Sequence, residues 1–153
     1  MANHVLLAIL AFLLLIAAVT DLKARIIANR LNLAIALLAP VYWWASGLAP
    51  WPDMALQFGL AAIVFAIFAA MFALGWMGGG DVKLLGALAL WLPVQPLLQM
   101  LILMSVFGGA LTLAVIAVHK FRKLKTNPEV PYGVAIACAA LWVISEPYLN
   151  QFA

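Results

Sequence analysis

Five carboxylates occur in 153 residues, at Asp21, Asp53, Asp81, Glu129 and Glu146. So few acids can be weighed one by one. Asp53 and Glu146 fall at the ends of apolar runs, where a carboxylate is solvated. Asp53 also suits the N-cap or first turn of the helix that follows it. Glu129 lies in a run with Lys120, Arg122, Lys123 and Lys125 and balances their charge. Asp21 and Asp81 differ, because each follows a long apolar run. An ionisable group at membrane depth costs about 2.5–3.5 kcal/mol on insertion scales and is a functional candidate by default. Two carboxylates brought together resist double ionisation; they share a proton and supply one acid and one base. An acid and a base around one water can direct that water at a peptide carbonyl. The competing reading is that each aspartate caps a helix end or pairs with Lys23, Arg25 or Lys83.

The neighbours of these two acids carry weaker signals. Gly78, Gly79 and Gly80 directly precede Asp81. Three missing side chains suit a backbone bend or the close approach of a substrate strand, although a flexible break between two helices explains the glycines alone. Lys83 is placed to hold Asp81 charged, or to meet a lipid phosphate or an acidic substrate residue; an ordinary cytoplasmic-side lysine occupies the same position. Asn29 is suited to hydrogen bonding near Asp21 or to a plain turn. Pro131 suits the start of a last helix, and Gly133 the close approach of two helices. His4 and His119 fall far apart in the expected topology, so no metal site is expected. The single cysteine, Cys138, excludes an internal disulfide and a multi-cysteine zinc site; buried packing is expected of it.

The elements that must position these residues follow from composition. Apolar residues make up 69% of the chain and charged residues 8%, against about 45–50% and about 25% in a soluble domain. Such a chain cannot cover a water-facing surface, and its apolar runs are continuous rather than alternating, which excludes a membrane barrel. The expectation is an all-α, polytopic membrane protein, with residues 1–153 forming one membrane domain and no separate soluble one. Apolar runs cover about 4–20, 31–45, 54–76, 82–92, 97–118 and 132–148. These are six predicted transmembrane segments. The fourth is short: eleven residues rise only about 16 Å, roughly half the hydrocarbon core, so either its helix starts earlier, within the glycines, or it is a short or re-entrant segment buried by its neighbours. With the N-terminus outside, the inner loops are 21–30, 77–83 and 119–131, and all eight Lys and Arg fall in them. The positive-inside rule therefore places both termini outside and puts Asp21 and Asp81 at the same membrane face. Trp43, Trp44, Trp51, Trp76 and Trp91 at the ends of the runs read as an interfacial aromatic belt.

The stretch Gly78-Gly79-Gly80-Asp81-Val82-Lys83-Leu84-Leu85 resembles the G-x-G-D motif of the type IV prepilin peptidases, membrane aspartic proteases of bacteria with archaeal relatives. Asp21 through Asn29 matches the spacing of that family's D-x5-I-P-N motif, with Ala28 in place of the proline. Val130-Pro131-Tyr132-Gly133 resembles the Pro-Tyr-Gly segment that opens the family's last helix. The three stretches stand in the family's order across nearly the whole chain. The resemblance implies that Asp21 and Asp81 are catalytic and that Asn29, Gly78, Gly79, Gly80, Lys83, Pro131, Tyr132 and Gly133 support the site. It implies cleavage of prepilin or pseudopilin leaders, just ahead of the substrate's apolar N-terminal helix, at the cytoplasmic face of a bacterial inner membrane. The length is similar to the short members of tight-adherence (Flp) pilus systems. Longer members carry an added cytoplasmic region with paired cysteines and also methylate the new N-terminus, so cleavage alone is expected here. No cofactor and no nucleic-acid partner is expected; the partners are the prepilin and the lipid bilayer. A presenilin-type protease shares the G-x-G-D core but would cut within a span. A transporter or pilus-assembly subunit would use the two acids for proton carriage or helix contacts.

Overall fold

The computed structural model describes residues 2–122 and 130–149. The described chain is all-helical, as its composition requires: α1 (Ala2–Ala24), α2 (Asn29–Ala45), α3 (Ala55–Ala73), α4 (Gly79–Ala89), α5 (Val94–Arg122) and α6 (Tyr132–Leu149). Lys123, Lys125 and Glu129 lie outside the described residues. Three helical stretches, Ala2–Ala24, Pro50–Ala73 and Val94–Arg122, are long and apolar enough to cross a membrane. Helix is the form in which such runs satisfy every backbone group internally. Large apolar side chains such as Phe58, Ile102 and Leu113 are more than 60% exposed, which suits a lipid-facing exterior.

The breaks between helices are specific. Arg25 takes a left-handed conformation (φ 56°) and ends α1, its N–H bonded to the Asp21 carbonyl at 2.9 Å. Gly75 (φ 76°) ends α3. The break before α4 therefore lies at residues 74–78 and not within the triple glycine: Gly78 is the extended N-cap, and Gly79 and Gly80 open α4 itself. The fourth element thus starts within the glycines and ends at Ala89, three residues earlier at each end than the apolar run 82–92, and it is only 11 residues long.

The short helix is the centre of the bundle. α4 packs on α3, α2 and α6, while α1 lies on α6 and α2, and α5 lies on α6. Leu84, Leu85 and Leu88 have no exposure; a helix apolar all round is one surrounded by protein. Its last carbonyls have no partner within the helix, and lipid offers none. Side chains of neighbouring helices supply them. Gln57 Nε2 donates to the Ala89 and Leu92 carbonyls, each at 2.8 Å, and Trp43 Nε1 donates to the Leu90 carbonyl at 2.7 Å. Trp91 Nε1 in turn donates to the Ile35 carbonyl at 2.9 Å. Two of the five tryptophans assigned to an interfacial belt are thus core residues: Trp43 and Trp91 are buried, whereas Trp44, Trp51 and Trp76 are exposed. Cys138 also departs from expectation. It is exposed on α6, because the buried face of that helix runs through Ala135, Ile136, Ala139, Ala140 and Val143.

Candidate active site

Asp21 stands in the last turn of α1, and Asp81 in the first turn of α4. The two helix ends meet beside the start of α6, and both carboxylates line one cavity of about 860 Å³. They are near enough for the charge of Asp21 to act on Asp81. Asp21 is 5% exposed and Asp81 is half-buried.

Each acid rests on a helix N-terminus, where unpaired N–H groups and the helix dipole favour an anion. Asp81 belongs to the first turn of its own helix. Asp21 is held in trans: its Oδ2 accepts the Val134 N–H at 3.2 Å, and the Gly133 N–H is directed at the same carboxylate. The reading in which an aspartate only caps a helix end therefore describes part of the geometry. Asp21 caps α6 and still borders the cavity.

The glycines permit these approaches. A Cβ on Gly133 would lie 2.9 Å from Asp21 Cγ and 2.6 Å from Ile27 Cδ1, so no larger residue fits without displacing the carboxylate. A Cβ on Gly80 would lie 3.3 Å from Ile27 Cβ, and one on Gly78 3.0 Å from Asp81 Oδ2. Ile27 is consequently wedged between α4 and α6 and fixes the connection that leaves α1. Gly79 lies against Phe72 of α3, a Cβ there falling 3.2 Å from the ring. Ala28, which stands at the position of the motif proline, has φ −63° and ψ 135°, the φ that a proline ring imposes. The turn after Asp21 is made without the ring.

Tyr132 lines the cavity and packs against Gly108 of α5, where an added Cβ would lie 2.8 Å from its ring. Pro131 is buried at the start of α6, where its carbonyl accepts the Val134 N–H at 3.2 Å; it does not reach the cavity lining. Lys83 and Asn29 are not brought to the acids. They bond to each other, Lys83 Nζ to Asn29 Oδ1 at 2.8 Å, on a groove between α2, α3 and α4. The reason is helical geometry: residues two apart point to different faces, so Asp81 and Lys83 cannot both turn towards α1.

Arg25, named from sequence only as a pairing partner of an aspartate, lines the cavity beside Asp21. One residue at the site was not singled out from sequence. Asn32 is 4% exposed, and its Nδ2 donates to the Gly80 carbonyl at 3.1 Å. That bond ties α2 to the first turn of α4. A lone amide inside the apolar run 31–45 was the available signal. Among the described residues no group of three or more His, Cys, Asp or Glu is arranged to hold a metal ion.

The sequence matches the type IV leader peptidase family over residues 8–113, a span that includes both Asp21 and Asp81. No curated protein and no solved structure matches it.

Proposed function

The chain belongs to the type IV leader peptidase family, and from that premise we propose that it is an aspartic endopeptidase removing the leader peptide of type IV, Flp-type prepilins. The reading places it as a six-segment protein of the bacterial cytoplasmic membrane, both termini outside and the two aspartates at the cytoplasmic face. The observation that carries it is the single cavity bordered by Asp21 and Asp81.

The chemistry follows from two carboxyl groups sharing one proton. The ionised member takes a proton from a water held between them, and the water oxygen attacks the carbonyl carbon of the scissile bond. The protonated member donates a hydrogen bond to the carbonyl oxygen as charge develops there. The tetrahedral intermediate then collapses, the C–N bond breaks, and the departing amine takes the proton that the first carboxyl group had removed from the water. Such a coupled pair titrates as a unit, so cleavage is expected to follow a bell-shaped pH profile that neither single aspartate variant retains. The Val134 N–H bonded to Oδ2 and the Gly133 N–H directed at the same carboxylate hold Asp21 in place at the cavity.

The test is co-expression with prepilins of the same genome. Wild type is expected to shorten one of them, while Asp21→Asn and Asp81→Asn, present at equal membrane levels, lose about 10²–10⁴-fold of the rate. Cleavage by either variant at the wild-type rate overturns the two-aspartate mechanism. Cleavage in mid-helix rather than at the leader junction would point to a presenilin-type specificity. Absence of any peptide product, with Glu tolerated at either position, would favour proton carriage.

A further inference from the structure

The aspartate cavity has walls on α3 and α5, and those two helices belong to different packing groups: α3 lies on α4, and α5 on α6. From α3, Phe68 and Met71 line the cavity, three residues apart on one face. From α5, Leu101, Met104, Ser105 and Gly109 line it, spaced as one helical stripe. Ser105 and Gly109 are exposed, and a Cβ on Gly109 would meet nothing within 4 Å. The cavity is thus a cleft that opens sideways between two lipid-facing helices. The neighbouring glycine, Gly108, has the opposite environment, being filled by the Tyr132 ring.

Resting on the peptidase reading, we infer that the α3–α5 cleft is the lateral entry by which the substrate's apolar membrane helix reaches the aspartates. Continuity with the acids is the first argument, since whatever lies in the cleft presents its cytoplasmic end to Asp21 and Asp81. Polarity is the second. The cleft is apolar along Phe68, Met71, Leu101 and Met104, and among the described residues it is charged at Asp21, Asp81 and Arg25. That gradient matches a chain leaving an apolar helix and entering water. The third is shape: Ser105 and Gly109 form a small-xxx-small pair, which lets a second helix backbone come close. The other groove, between α2, α3 and α4, ends at Lys83 and Asn29 and leads to no carboxylate.

The experiment uses the full chain in membranes and a prepilin that wild type has first been seen to cut, so that failure of the peptidase reading appears in that earlier assay. Gly109→Leu fills the open space and replaces a poor helix former with a good one. It is expected to accumulate normally and to lower kcat/KM for the prepilin at least tenfold, through KM. Gly59→Leu, also in open space but on α3 away from the acids, is the control expected to match wild type. A photocrosslinking amino acid at Ser105 is expected to capture uncut prepilin in an Asp81→Asn background, and one at Leu33, in the other groove, is not. Unchanged KM in a well-folded Gly109→Leu overturns the inference. So does prepilin captured from Leu33 and not from Ser105, or lipid as the sole adduct at Ser105. Should Gly109→Leu not accumulate, the crosslinks decide alone.

Discussion

At single positions the site is governed by what is absent as much as by what is present. Gly133 holds no side chain where Asp21 Cγ and Ile27 Cδ1 already stand. Gly133→Ala is therefore expected to abolish prepilin cleavage even if the variant reaches the membrane, because the added methyl must push the carboxylate from its N–H donors. Thermal stability and cleavage measured together check this. Ala28 gives the opposite case. Its φ of −63° suits proline, and the position lies outside a helix. Ala28→Pro is expected to keep cleavage and to stabilise by about 0.4–1 kcal/mol through a less flexible unfolded chain. That amounts to a rise in Tm of about 1–4 °C for a chain of this size. A fall in Tm would mean that the backbone here is not free to take the ring. Arg25 occupies a left-handed conformation that costs a non-glycine residue about 1–2 kcal/mol. Arg25→Gly is expected to hold or raise stability while removing the cation beside Asp21, so its effect on the pH profile reports the charge alone. The motif spacing from Asp21 to Asn29 was legible in the sequence; the Val134 and Gly133 N–H groups were not, because backbone donors carry no residue signature.

At the scale of elements, the short α4 is the feature that needs its neighbours. Eleven residues make an unstable helix alone, and its buried end exposes carbonyls to a medium without donors. Gln57 and Trp43 supply the donors. Gln57→Leu leaves the Ala89 and Leu92 carbonyls without that partner and is expected to cost about 1–3 kcal/mol; Trp43→Phe is expected to cost less, the ring remaining. Thermal unfolding of the purified chain checks both. Equal stability of Gln57→Leu and wild type would show that water or lipid headgroups reach the end of α4. Its apolar run located this element and its shortness, but the run begins at Val82 while the helix begins at Gly79, within the glycines. Burial explains the difference: tertiary packing against α2, α3 and α6 overrides the low propensity of two glycines.

Across the whole molecule, the sequence alone determined a great deal. Scarcity of charge and continuity of apolar runs require membrane helices, because no water-soluble arrangement could bury so much apolar surface. The spacing of Asp21, Asp81 and the Pro131-Tyr132-Gly133 segment identified the family, since each lies in a contiguous motif. The tertiary structure decided what no linear pattern encodes. It put Asp21 against the start of α6, 113 residues away, and it separated Lys83 from the acids by turning it to another face of α4, where it bonds to Asn29 of α2. It made Trp43 and Trp91 core donors, while Trp44, Trp51 and Trp76 stayed outside. It also left α3 and α5 on separate packing partners with the aspartates between them. The physical reason is the same in each case. A membrane chain is apolar on every face, so hydropathy says that a helix exists but not which side meets protein. That choice falls to steric fit at glycines and to hydrogen bonds that lipid cannot supply, and both form only when distant segments pack.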